Sequence, residues 1–165
     1  MKKILIALDY DPTAQKIAES GSALAKSIGA EVILLHVIAD PAYYSSTAYS
    51  PIMGFTGYTD INPLQRDRTN SLITASIHFL EESKKYLGDE NITTIVKEGD
   101  FAESILATAT ELGAAIIVMG SHSRRWLEAI VMGSITEKVL HKTTIPLFII
   151  PTKKIGNDKP DKMVD

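Results

Sequence analysis

Short apolar runs alternate with amphipathic segments along most of this sequence, and this alternation constrains the fold more than any other feature. Three of the runs, at residues 3–8, 31–37 and 115–119, read KILIAL, EVILLHV and AIIVM. Runs of this length and composition are typical of strands that are buried on both faces of a parallel sheet. Between them, apolar residues recur every three or four positions, as on one face of a helix. The alternation therefore predicts an α/β fold.

The alternation of strands and helices extends over most of the chain and predicts where a ligand would bind. The predicted strands are residues 3–8, 31–37, 92–97, 115–119 and 145–150, and the predicted helices are residues 14–28, 66–87, 101–112 and 134–141. Strands and helices in strict alternation predict a doubly wound parallel sheet with helices on both faces. Ligands of such sheets lie beyond the carboxyl ends of the strands, where the winding direction reverses. Asp9, Val37 and Gly120 stand at predicted carboxyl ends and are therefore candidate site residues.

The last predicted strand and two irregular segments complete the predicted organisation, a single domain over residues 1–151. Prolines inside and after residues 145–150 favour an edge strand, and an apolar edge invites pairing with another chain, so we expect a homodimer through this strand. Residues 39–65, rich in tyrosine, are predicted to be an irregular insertion. This insertion is either a plain excursion or a lid or subunit contact. Residues 152–165 are expected to form a disordered tail.

Composition excludes several classes of protein. The chain has 165 residues, a net charge of −3 and no cysteine. Disulfides, thiolate zinc sites and thiol nucleophiles are therefore absent. A mildly acidic chain is a poor candidate for nucleic-acid binding, which depends on clustered Lys and Arg. No apolar run approaches the roughly 18 residues that span a membrane, so we expect no membrane association and a cytoplasmic location.

Two glycines carry the strongest chemical signal. Gly120 ends a predicted buried strand, and Gly133 with Ser134 precedes the last predicted helix. Glycine lets backbone N–H groups approach a phosphate, and a helix N-terminus offers unpaired N–H donors. Alternatively, both glycines serve only as turns, and Ser134 with Glu137 forms a capping box that closes the helix. The spacing alone leaves both interpretations open.

For other polar or aromatic residues near the glycines, a ligand-binding role and an ordinary structural role are both open. Asp9 is suited to a ribose hydroxyl or a metal, or to a turn before the first helix. His122, Arg124 and Arg125 would attract an anion, or else form solvated surface. Trp126 would stack on a ligand or lie partly buried against the sheet.

The sequence lacks the motifs of efficient nucleotide chemistry. It contains no Walker A sequence, no GxGxxG and no GxSxG, and its four histidines have no paired metal spacing. We therefore predict no catalytic residues and no metal ligands from the protein alone. At most, weak ATP hydrolysis is expected.

The residues around these glycines resemble the universal stress protein family. The nucleotide-binding signature of this family is G-x2-G-x9-G-[ST], and the matching positions are Gly120, Ser123, Gly133 and Ser134. The runs KILIALD and EVILLHV and the proline-flanked last strand are also similar, so the resemblance extends from residue 3 to residue 151. It implies a Rossmann-like sheet with strand order 3-2-1-4-5 and a homodimer paired through the last strand. It also implies membership of the ATP-binding branch.

The resemblance further implies a contact with ATP, accompanied by Mg²⁺, for each matching position. Asp9 would contact the ribose and adenine region, and the backbone of Val37 would read the adenine edge. The ribose and phosphate turn would be lined by Met119, Gly120, His122 and Ser123. The phosphates would be held at the helix N-terminus by Gly133, Ser134, Ile135 and Thr136.

Ser123 departs from the signature, which has glycine at this position. If this position needs a positive φ, serine costs about 1–2 kcal/mol, which would weaken affinity by roughly tenfold. Alternatively the turn relaxes, and Arg124 or Arg125 compensates with its charge. Because the other signature positions are intact, we expect an adenine-nucleotide-binding (ATP, or AMP or ADP) regulatory module of the stress response that acts on a protein partner. The alternatives are a nucleotide-free homodimeric interaction module and a slow ATPase.

Overall fold

The fold alternates strands and helices as predicted. A computed structural model describes residues 1–10, 12–39, 64–121 and 132–152, with side chains of the third range from residue 70 onward. Its elements are β1 (Lys3–Ala7), α1 (Ala14–Ile28), β2 (Glu31–Ile38), α2 (Leu64–Leu87), β3 (Thr93–Glu98), α3 (Phe101–Glu111), β4 (Ile116–Gly120), α4 (Ser134–Lys142) and β5 (Leu147–Ile150). Every predicted strand and helix is therefore present, and α2 and β5 show the largest shift of a boundary.

The five strands form one sheet in the order β3-β2-β1-β4-β5. All four strand pairings are parallel. This confirms the predicted doubly wound sheet and its strand order. The chain moves outward from β1 to β3 on one side, and then crosses to β4 and β5 on the other. The reversal places β1 and β4 side by side, at the point where such sheets bind ligands.

Helices cover both faces of the sheet. Ile4 and Ile6 contact the core formed with α1 and α2, whereas Leu5 belongs to the core formed with α3 and α4. All three side chains are fully buried. Because successive residues of a strand point to opposite faces, a strand between two helical layers must be apolar throughout. This explains the continuous apolar run of β1.

The two edge strands differ in character. β3 carries polar residues such as Thr93 and Lys97, as expected for an edge, whereas β5 is apolar. Phe148, in the middle of β5, is 43% exposed. The predicted edge position of β5 is therefore confirmed, and the strand presents an apolar side chain to its surroundings.

The two irregular segments lie mainly outside the described residues. Of the predicted insertion at residues 39–65, Ala39 is buried beside β2, and α2 already begins at Leu64. The remainder of the insertion, and the predicted tail beyond Thr152, are outside the described part of the chain.

Candidate functional site at the carboxyl edge of the sheet

Four of the predicted site residues lie together at the carboxyl edge of the sheet. Val37 lies in β2 and Met119 and Gly120 end β4, while Asp9 follows β1. The register pairs Ala7 with Leu35 and Ile6 with Val118. Continued by two residues, the register with β2 places Asp9 level with Val37. The topology therefore brings these positions to the switch point.

The start of α4 is fastened to the end of β4 by two hydrogen bonds. The Gly133 N–H donates to the Ser121 carbonyl oxygen at 3.2 Å. The Thr136 hydroxyl donates to the Gly120 carbonyl oxygen at 2.9 Å. Thr136 is only 3% exposed, so its hydroxyl ties strand to helix. Because the hydroxyl is engaged in this way, the predicted contact of Thr136 with phosphate would be made by its backbone N–H group.

The capping-box interpretation of Ser134 is wrong, and no side chain in the described ranges closes the first turn of α4. The N-cap is Gly133, at φ −60° and ψ 149°, a residue that has no side chain with which to cap the helix. Ser134 is instead the first helical residue and is exposed. The intrahelical bonds begin with the Glu137 N–H, which donates to Gly133. The N–H groups of the first three helical residues therefore have no carbonyl partner within the helix.

Position 120 requires glycine because a side chain would clash with its neighbours, and not because of the backbone conformation. Gly120 is not among the described glycines that have a positive φ. A Cβ on Gly120 would lie 2.6 Å from Cδ1 of Ile17 and 2.8 Å from Cγ2 of Thr152. Any larger residue would force the side chains of Ile17 and Thr152 to move. Gly120 thus keeps the elements around the switch point close together.

Ser121 connects the elements around these positions, a role that the sequence did not reveal. Its N–H donates to the Ile150 carbonyl oxygen at 2.9 Å, and its Oγ accepts from the Thr152 N–H at 3.1 Å. With its carbonyl bound to Gly133, it connects β4, β5 and α4. The only signal in the sequence was a serine directly after a buried strand, which is also what an ordinary turn shows.

An aromatic cluster next to Asp9 was also not predicted from the sequence. Tyr10 stacks on Phe79 with ring centroids 4.5 Å apart, and it meets His36 edge-on at 5.5 Å. The Tyr10 hydroxyl donates to the Ala75 carbonyl oxygen at 2.8 Å, and burial raises the pKa of Tyr10. Asp9 itself accepts from the Tyr10 N–H at 2.8 Å. The cluster holds α2 against the segment that follows β1.

The N-terminus of α3 contrasts with that of α4. The Asp100 side chain accepts from the Glu103 N–H at 3.0 Å and pairs with Lys138 of α4 at 3.1 Å. The hydrogen bond from Glu103, and then Lys138, lower the pKa of Asp100. A carboxylate of the protein therefore occupies the anion position of α3. Among the described residues, no carboxylate occupies the equivalent position of α4.

The remaining predicted site residues lie outside the described part of the chain. These are His122 and Ser123, together with Arg124, Arg125 and Trp126. Within the described ranges, no group of three His, Asp or Glu side chains is arranged to hold a metal ion. Within the same ranges, no helix has the length and apolar character needed to cross a membrane.

Comparison with known proteins identifies the family of this fold and site. The family model described as "Universal stress protein family" matches residues 1–151. The chain belongs to the universal stress protein family. The family resemblance predicted over residues 3–151 is therefore confirmed.

Individual family members cover almost the same length. The universal stress protein MJ0577 of Methanocaldococcus jannaschii is 31% identical over 155 residues, which cover 92% of this chain and 96% of that protein. A solved structure of MJ0577 has a TM-score of 0.70 and 30% identity, covering 93% of this chain and 97% of that one. A universal stress protein solved in complex with cAMP has a TM-score of 0.63 at 14% identity, covering 92% and 98%. At 14% identity, the likeness to the last of these structures shows that the two proteins share a fold.

Proposed function

We propose that this universal stress protein binds an adenine nucleotide, ATP in the first instance, at the carboxyl edge between β1 and β4, as a regulatory module of the stress response. The observation that carries the proposal is the first turn of α4, which is hydrogen-bonded to the end of β4 and is not capped by any described side chain. Three backbone N–H groups and the positive end of the helix dipole suit a phosphate.

The rest of the nucleotide would follow from the arrangement of the strands. The phosphates would lie on the N–H groups of Ser134, Ile135 and Thr136, because these are the donors outside the helical ladder. Asp9 and the backbone of Val37 would then face the ribose and the adenine, since both lie at the same edge. The family member solved with cAMP supports an adenine nucleotide as the ligand class. Mg²⁺ would come with ATP, bound by the phosphates.

The decisive variant is Gly133→Val. Gly133 has φ −60° and ψ 149°, which valine also adopts, so the change adds bulk at the phosphate position without straining the backbone. We expect ATP affinity to fall by about tenfold or more, as when a charge-assisted hydrogen bond is lost. Fluorescence or calorimetric titration measures this.

A matched control separates binding from general destabilisation. Gly88, at the end of α2, has φ +66°, and a Cβ added there would meet no other atom within 4 Å. Gly88→Ala therefore strains the backbone away from the site without a steric clash. This control should be less stable and yet bind ATP like the wild type. Equal affinity of the Gly133→Val variant and the wild type would contradict the proposal.

A second role, pairing of two copies through β5, is supported by a separate observation. Phe148 in β5 is 43% exposed and Leu140 of α4 is 45% exposed, and β5 is an edge strand of the described sheet. An apolar edge of this kind favours strand pairing with a second copy. Phe148→Arg should yield monomers in sedimentation experiments, whereas Tyr86→Arg, which alters another exposed aromatic residue, should not. A Phe148→Arg variant that still dimerises would rule out this interface.

A further inference from the structure

Ser121 uses all of its polar groups to connect three elements at the carboxyl edge. Its N–H donates to Ile150 at 2.9 Å, and its carbonyl accepts from Gly133 at 3.2 Å. Its Oγ accepts from the Thr152 N–H at 3.1 Å and lies 3.5 Å from the Thr152 hydroxyl oxygen. A residue with every polar group engaged has a fixed orientation. Here that orientation aims a carbonyl at the N-cap of α4.

The segment that holds the Ser121 side chain is itself held from the other face. Lys16 of α1 donates through Nζ to the Pro151 carbonyl oxygen at 2.8 Å. Thr152 also lies so close to Gly120 that a Cβ on that glycine would be 2.8 Å from Cγ2 of Thr152. The two residues after β5 are therefore fixed by α1 on one side and by β4 on the other.

We propose that Ser121 is a positioning residue of the nucleotide site, and that Thr152, after β5, is a structural part of that site although the glycine signature does not include it. This inference rests on the proposed nucleotide binding. The Ser121 hydroxyl acts through the peptide carbonyl that receives the Gly133 N–H, and so sets where the first turn of α4 begins. The ligand group concerned is the phosphate.

The physical reason is the tolerance of a phosphate site. Donors must be held within about 0.5 Å of their productive positions by neighbouring contacts. Without its hydroxyl, residue 121 would keep only the ladder bond to Ile150 and the bond to Gly133. The Thr152 N–H would lose its acceptor and the end of β5 would move. The base of the turn would then loosen, while the adenine and ribose positions near β1 and β2 would stay unchanged.

The experiment compares ATP with adenosine on the full chain. Ser121→Ala removes only the hydroxyl and should weaken ATP binding about fivefold to tenfold, the loss expected for one hydrogen bond. It should leave adenosine affinity within about twofold of the wild-type value. Ser121→Thr restores a hydroxyl and should restore ATP affinity.

Ser83→Ala is the matched control. The Ser83 hydroxyl is part-buried and donates to the Phe79 carbonyl oxygen at 2.8 Å, so its loss removes a similar bond within α2. This variant should bind both ligands like the wild type. Wild-type ATP affinity in the Ser121→Ala variant would overturn the inference, and so would an equal loss for ATP and adenosine. If the wild type binds neither ligand, the proposed function fails first, and this inference fails with it.

Discussion

The hydrogen bond between Thr136 and Gly120 allows the attachment of α4 to the sheet to be tested without any ligand. Thr136→Val exchanges a hydroxyl for a methyl group of similar size in a side chain that is 3% exposed. The change removes the 2.9 Å bond to the Gly120 carbonyl oxygen. A buried acceptor that loses its donor costs about 1–3 kcal/mol. We therefore expect the free energy of unfolding to fall by about that amount.

Urea unfolding followed by circular dichroism measures this change. For a chain of this size, 1 kcal/mol lowers Tm by roughly 2–4 °C, so thermal unfolding provides a second measurement. The matched control is Thr110→Val, because the Thr110 hydroxyl also donates to a backbone carbonyl, that of Leu106 at 2.9 Å, but at an exposed position. It should change stability by no more than about 0.5 kcal/mol. Equal stability of the two valine variants would refute the structural role of Thr136.

Three further changes have defined outcomes. Gly120→Ala places a Cβ 2.6 Å from an α1 side chain, so it should cost about 1–3 kcal/mol in calorimetric unfolding, and an unchanged Tm would contradict the close approach. Tyr10→Phe loses the bond to Ala75 but keeps the ring stacking, and chemical unfolding should show a loss of about 0.5–1.5 kcal/mol. The lowered pKa of Asp100 stabilises the fold above the ordinary aspartate value of about 3.9, and this contribution is lost as pH falls through the lowered pKa. Asp100→Asn should therefore make stability less dependent on pH below about pH 4, and a pH profile like that of the wild type would exclude this role.

The sheet was predictable because its signals are local. In β1, burial on both faces demands continuous apolar residues, and such runs are visible in the sequence without any knowledge of neighbours. The helix α3 also has a local signal, because Asp100 followed by Glu103 is a capping pattern, and the Glu103 N–H donates to the Asp100 side chain at 3.0 Å. The strand order was not local information. It came from the family resemblance.

The packing of α2 shows where the pattern was insufficient. The apolar spacing of Ile73, Ile77 and Leu80 is typical of one buried helix face. Leu80 is fully buried, yet Ile77 is 49% exposed and Ser76 is only 2% exposed. The Ser76 hydroxyl donates to the Leu72 carbonyl oxygen at 2.7 Å, so this serine is buried without an unsatisfied polar group. Hydropathy assigns serine to the surface, so the pattern places Ile77 rather than Ser76 on the buried face of α2.

The candidate site was predictable in location but not in its internal bonds. The glycines and the strand ends predicted which elements would meet. The sequence could not show that Gly133 rather than Ser134 is the N-cap of α4, because both residues are common at that position. Nor could it show the role of Ser121, whose partners lie at Gly133 and Thr152. Contacts between residues far apart in sequence arise only once the sheet has assembled.

The most direct test of nucleotide binding is a calorimetric titration of the wild-type protein with ATP and Mg²⁺, after removal of any nucleotide that copurifies. The first turn of α4, which no described side chain caps, predicts saturable binding in the micromolar range, even with Ser123 at the second signature position. A flat titration up to millimolar ATP would contradict the nucleotide site at this edge. In that case, pairing through β5 would remain the proposed role with structural support.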